Sequence, residues 1–297
     1  MSTTRVALAP LMSRPMAYVA LTKPDVTFLV VITTFAGFYM AAQGALNYPL
    51  LLHALMGTTL IGAGTSALNH YFERDSDALM RRTATRPLPT GALQPSQALW
   101  FGVLLAGGGA VYLLLATNWL ASLLGVVTCV SYLAAYTPLK KKTTLATFVG
   151  AFPGAVPPLM GWAAARGDLG IGAWALYLIL FLWQFPHFLA IAWMYREDYA
   201  RAGIRMLPVV DRAGSATFTQ ILAYSAALVP ASLLPSVVGL TGIPYFFGAI
   251  VLGLSLILVG MWAARSKTNL RAKWLMHATV IHLPLLLALM LWDKILR

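Results

Sequence analysis

Uncharged apolar runs of about twenty residues recur along the chain, and most of the charge is gathered in the short segments between them. A helix rising 1.5 Å per residue needs about 20 apolar residues to cross the hydrocarbon core of a bilayer. Nine runs have that length: 26–44, 50–70, 97–116, 119–137, 145–164, 172–194, 218–239, 243–263 and 276–292. They are continuous rather than alternating, and too long for barrel strands. Helices also close their own backbone hydrogen bonds inside lipid. The pattern predicts an all-α polytopic membrane protein of nine transmembrane helices. Residues 1–297 form a single membrane domain, with a lead-in over 1–24 and charged loops over 71–96 and 195–217.

Composition agrees with this reading. Of 297 residues, 59% are hydrophobic and 10% charged, whereas soluble domains carry roughly a quarter charged residues. The net charge is 21 − 9 = +12. In a soluble protein that excess would suggest nucleic acid, but here it sits in short loops between spans, which argues for orientation and for anionic ligands instead. Eighteen Lys and Arg fall on one set of loops, and only Arg166, Lys294 and Arg297 on the other. The positive-inside rule therefore puts the N-terminus in the cytoplasm and the C-terminus outside. Residues 1–24 lack the apolar core and cleavage site of a signal peptide. The single cysteine, Cys129, excludes an intrachain disulfide and a multi-cysteine metal site. Acid-rich loops follow spans two and six and basic loops follow spans four and eight, as a four-helix unit used twice with one helix left over would produce.

Seven of the nine acids also lie on the basic side, where the positive-inside rule does not require them. The stretch NHYFERDSDALMRRTATRPLPTG (69–91) holds three carboxylates and four arginines. Asn69, Glu73 and Asp77 are spaced four apart and share one face if span two continues past the membrane edge. An amide and two carboxylates on one stripe are hard oxygen donors suited to Mg²⁺, an ion commonly held through one or two carboxylates plus substrate phosphates. Arg81, one turn beyond Asp77, and Arg86 supply guanidinium forks for phosphate. Asp75 points away from the stripe, toward a pairing with Arg82. The bland alternative is a solvated loop of i,i+4 ion pairs.

The second acidic loop ends WQFPHFLAIAWMYREDYARAGIRMLPVVD (183–211). His187, Ile191, Met194 and Asp198 follow a helical stripe, placing His187 about 16 Å deeper than Asp198. Gln184 joins that face, so Asp198 would stand at the mouth of a cavity walled by Gln184 and His187. An interhelical hydrogen bond is the competing role for His187, and His53, His277 and His282 read as ordinary span residues. Lys140, Lys141 and Lys142 stand at the same membrane face, either as topology determinants or as diphosphate contacts. Span five carries Gly150, Pro153, Gly154, Pro157, Pro158 and Gly161, which allow a bend and either room for a large ligand or close helix packing. Trp119, Trp162, Trp174 and Trp292 read as interface anchors.

These segments resemble the UbiA superfamily of intramembrane prenyltransferases. The resemblance rests on Asn69, Glu73 and Asp77 as its first acidic motif. Arg74, Asp75, Asp77, Met80, Arg82, Thr83, Arg86, Pro87 and Leu88, with "DYARAGIRMLPVV" (198–210), "FPHFLAIAW" (185–193), "PPLMGW" (157–162) and "LTKP" (21–24), are similar to its haem-farnesylating branch. The resemblance implies a helix bundle around a central cavity, a requirement for Mg²⁺, and transfer of farnesyl from farnesyl diphosphate to a vinyl group of haem B, which is a substrate and not a cofactor. It implies Asn69, Glu73, Asp77 and Asp198 as catalytic metal ligands. It also implies Lys23, Arg81, Arg86, Lys140, Lys141, Lys142, His187 and Arg201 as substrate contacts. The expected setting is the bacterial inner membrane, with the bilayer and a haem A synthase or terminal oxidase assembly as partners and no nucleic acid. The rivals are a prenyltransferase acting on an aromatic quinone precursor, and a secondary transporter, which would place ionisable groups at the midplane instead of one surface.

Overall fold

A computed structural model describes residues 12–295, so Arg5 and Arg297 of the charge count lie outside the described residues. The chain opens with α1 (Arg14–Leu21), within the expected lead-in, and α2 (Pro24–Ala41) is the first span. Helix α3 (Tyr48–Leu79) runs 32 residues and carries the chain well past the membrane edge. The third span is α4 (Pro95–Ala116). The fourth is α5 (Trp119–Val130), prolonged by a π-helical turn (Ser131–Tyr136) and the short α6 (Thr137–Leu139). The fifth is split into α7 (Ala146–Gly154) and α8 (Pro157–Arg166). After α9 (Ile171–Met194) come two short helices, α10 (Arg196–Arg201) and α11 (Leu207–Val210). The chain finishes with α12 (Ser215–Val237), α13 (Ile243–Ser266) and α14 (Asn269–Ile295). Among the described residues, nine segments are long and apolar enough to span a membrane, in agreement with the hydropathy pattern.

Two boundaries differ from the sequence expectation. The first charged loop begins at Met80, not at 71, because α3 stays helical through its charged turns. The last span begins at Asn269, so Arg271 and Lys273 lie on its first turns. Polar residues do not end a helix unless a cap or turn does, and hydropathy locates only the lipid-facing part.

Spans one to five pack mainly among themselves, as do spans six to nine, and α2 against α14 and α8 against α9 join the groups. Small residues set the closest approaches. A Cβ on Gly161 of α8 would stand 1.9 Å from the Thr34 carbonyl oxygen of α2, and one on Gly37 would stand 2.0 Å from that of Pro158. The glycines of the broken span therefore serve close packing here. At Gly154, a Cβ would fall 2.0 Å from Gln184 Oε1.

At the end of the bundle away from the acidic loops, adjacent residues of opposite charge bind opposite helix poles. Asp293, 1% exposed, accepts from the backbone N–H groups of Gly242 and Tyr245 at the start of α13. Lys294 Nζ donates to the carbonyls of Tyr39 (2.5 Å), Met40 and Ala42 at the end of α2. Each charge complements the dipole of the end it meets, and together they tie spans one, eight and nine. Trp119, Trp174 and Trp292 are exposed, as interface anchors should be. Trp162 is not one: it is 3% exposed, with Nε1 directed at Asp168 Oδ1.

The α2–α8 contact leaves no space for a methyl group. Gly161→Ala should lower the thermal unfolding midpoint in detergent, at a cost of about 1–3 kcal/mol. Gly107→Ala, where a Cβ meets nothing within 4 Å, should leave the midpoint unchanged or raise it.

Candidate active site

The three oxygen-bearing side chains of the α3 stripe are each held by a cation from a different part of the chain. Lys23 Nζ donates to Asn69 Oδ1 at 2.6 Å. Lys140 Nζ pairs with Glu73 Oε1 at 2.6 Å. Arg86 Nη1 donates to both oxygens of Asp77, at 2.8 and 2.7 Å. Asn69 and Asp77 are each 1% exposed, and the Glu73 and Lys140 side chains only 14% and 11%. Six polar groups thus meet at low dielectric, where charge pairs act more strongly than in water.

Local sequence explains how each cation arrives. Lys23 precedes Pro24, which disfavours a right-handed helical conformation there. It takes φ +46°, one of two positive-φ non-glycine residues among those described, and the chain turns sharply from α1 into α2. Burial first, and then the Arg86 charge, pull its ammonium down to about 7. Arg86 is carried by turns after Met80, where Thr83 Oγ1 donates to the Asp77 carbonyl at 2.8 Å. Lys140 follows the π-helical turn, whose Tyr136 ring lies 4.3 Å from its Nζ. Such π turns often occur at functional sites, but they leave no mark in hydropathy. Tyr136 was therefore missed, although its place four residues before Lys140 could have signalled it.

Arg81 departs from expectation. The helix ends at Leu79, so Arg81 leaves the stripe and is exposed. Asp75, also exposed, pairs with its neighbour Arg74 at 3.8 Å and not with Arg82. Arg82 lies 4.8 Å over the Tyr195 ring, and its backbone N–H donates to Asp198 Oδ2 at 3.2 Å. That bond brings the second acidic loop onto the first. Asp198, 9% exposed, also pairs with Arg201. Arg205 N–H donates to the Lys140 carbonyl at 2.7 Å, which brings in the lysine loop. Lys141 and Lys142 are exposed.

The helical stripe from His187 to Asp198 is interrupted. Tyr195 takes φ −108° and ψ 20°, which ends α9 and starts α10 in a new direction. His187 Nδ1 meets Thr279 Oγ1 of α14 at 2.8 Å, and its ring stacks on Trp183. Gln184 Nε2 donates to the Ala151 carbonyl of α7 at 3.1 Å. The two side chains serve different neighbours. A cavity that none of Gln184, His187 and Asp198 lines lies between α3, α4 and α5. It measures about 720 Å³, is mainly apolar, and has Glu73, Lys140 and Lys141 among its lining residues, with Leu68, Cys129 and Leu133 deeper in the span.

Residues 30–288 match the UbiA prenyltransferase family. The chain belongs to that family. It is 47% identical over 286 residues to the protoheme IX farnesyltransferase of Solibacter usitatus, covering 93% of this chain and 98% of the relative. It is 49% identical over 289 residues to that of Koribacter versatilis, covering 93% of each. A UbiA homolog from Archaeoglobus fulgidus, solved with DMAPP and Mg²⁺, superposes with a TM-score of 0.70 at 16% identity, over 94% of this chain and 99% of that one. The chain shares the UbiA fold, with nine candidate spans among the described residues.

The residues present fit Mg²⁺. Asn69, Glu73 and Asp77 offer a carbonyl and two carboxylates, all oxygen. Among the described residues, no three His, Cys, Asp or Glu side chains gather into a cage. An incomplete oxygen set beside three cations suits an ion whose other ligands come from phosphate and water.

The Arg86–Asp77 pair can be tested on its own. Removing one partner of a buried pair strands the other, at a cost of about 3–5 kcal/mol. Arg86→Ala should lower the unfolding midpoint steeply, and adding Asp77→Asn should restore much of it. Additive losses in that double-mutant cycle would show that the pair is not coupled.

Proposed function

We propose that this protein transfers the farnesyl group of farnesyl diphosphate to a vinyl group of haem B with addition of water, giving haem O and diphosphate. The observation that carries this reading is the α3 stripe: three oxygen donors, each matched by a cation, with Glu73 and Lys140 reaching an apolar cavity. The relatives carrying the protoheme IX farnesyltransferase name supply the haem acceptor and the farnesyl donor.

In this reading Asn69, Glu73 and Asp77 hold Mg²⁺, with Asp198 close by on the second loop. Mg²⁺ bound there would neutralise the diphosphate and make it a better leaving group. Lys23, Arg86 and Lys140 exchange their present partners for phosphate oxygens. They then meet the charge that develops as the C1–O bond breaks and diphosphate leaves with the bonding pair. Arg81, Lys141, Lys142 and Arg201 lie at the rim, where they attract the anion. The cavity between α3, α4 and α5 holds the farnesyl chain away from water, protecting the allylic centre until the vinyl carbon attacks it. Water then adds at the remaining vinyl carbon and gives up its proton. His187 is engaged by Thr279 of α14 through Nδ1 and does not line this cavity, so it is given no part in this reading. The protein lies in a bacterial inner membrane with its N-terminus in the cytoplasm, and hands haem O to a haem A synthase or terminal oxidase assembly.

Expression in a host lacking haem O, followed by mass spectrometry of extracted haems, should show a gain of farnesyl plus water. Asp77→Ala should reduce product at least about 100-fold, while haem B binding read from the Soret band is retained. Full activity in that variant would refute the assignment. Product from 4-hydroxybenzoate in place of haem B would favour a quinone-precursor enzyme. Alkaline phosphatase fused after residue 297 should be active, and inactive when inserted in the 80–94 loop. The reverse pattern would overturn the orientation.

A further inference from the structure

His70 follows Asn69 on α3 and has nothing to bind. It is 2% exposed, and neither Nδ1 nor Nε2 has a hydrogen-bond partner. An imidazole always carries at least one N–H donor, and buried polar groups in native proteins are nearly always paired. Neighbouring groups are satisfied: Asn69, Glu73 and Asp77 all have partners. His70 is therefore unpaired beside three residues that are paired.

Helix geometry aims His70 at the same site. At about 100° per residue, Asn69, Glu73, Asp77 and His70 fall within an arc of roughly 100°, and His70 is nearly in line with Asp77, two turns deeper. Asn69 and Asp77, which share that arc, are held by the cations Lys23 and Arg86. An unpaired N–H donor on the face where two cations gather is complementary to an oxyanion.

We infer that His70 is a diphosphate-binding residue, its imidazole donating an N–H to a phosphate oxygen that Lys23 and Arg86 also contact. This rests on the proposed function and adds a fourth donor to it. The imidazole remains unpaired in the ligand-free protein because its partner is the substrate. Hydrogen bonding to an anion that is already charge-balanced improves orientation as well as affinity, since the ring is fixed by burial on α3.

The test uses inorganic pyrophosphate with Mg²⁺ as the probe, on the full chain in detergent, by calorimetric titration, with unfolding midpoints measured in parallel. His70→Phe should weaken pyrophosphate binding about 10- to 100-fold while leaving the ligand-free midpoint unchanged or raised, because an unpaired buried polar group has been replaced by an apolar ring. His70→Asn, which keeps an N–H donor, should recover part of the affinity. Unaltered affinity in His70→Phe, with binding intact in the wild type, would overturn the inference and leave the proposed function standing. A ligand-free midpoint that falls in His70→Phe and in His70→Asn alike would also overturn it, by making the residue structural. Failure of the wild type itself to bind pyrophosphate in a Mg²⁺-dependent manner would instead overturn the proposed function.

Discussion

The pairing of three cations with three oxygen donors on one face of α3 is the interaction on which the site depends. Each pair joins α3 to a separate segment: Lys23 brings the α1–α2 junction, Arg86 the turns after Met80, and Lys140 the end of the fourth span. Without these pairs, buried carboxylates would face each other at the membrane edge, where an uncompensated charge is expensive. With them, both carboxylates are compensated and the site is kept compact with an excess of positive charge. In the proposed function the same cations turn to the diphosphate, for which their excess positive charge is suited.

The surrounding architecture serves to hold those four segments in register. Contacts at Gly37 and Gly161 bring α2 against α8 with no space between backbones, so the α1–α2 junction cannot drift. Asp293 and Lys294 secure the far end, each meeting the helix pole of opposite sign. Asp198 reaches the Arg82 N–H and Arg205 the Lys140 carbonyl, so all three loops form one cap. Rigid helix ends position ligand groups more accurately than loops, and here the principal donors sit on a 32-residue helix.

Much of this was legible without coordinates. The spans follow from run length, because lipid imposes the same thickness on every helix. The Asn69–Glu73–Asp77 stripe follows from helix periodicity, and the basic residues nearby follow from the need to balance it. The misassignments share one cause. Arg81, and the His187–Asp198 stripe, were placed by extending helices through Met80 and Tyr195, where the backbone turns. Periodicity predicts a side chain's face only while the helix lasts, and neither break is signalled by glycine or proline.

Partner choice was the other invisible quantity. The sequence determined the membrane class, the candidate spans and the residue types at one end of the bundle, since each depends on local composition or on spacing along one helix. Only the tertiary structure decided that Arg86 and not Arg81 holds Asp77, that Lys140 is the lysine of three that enters the site, and that His187 faces α14. It also showed that His70 is left unpaired. Those outcomes depend on which segments distant in sequence approach one another, and that is set by backbone contact between helices rather than by the residues that profit from it.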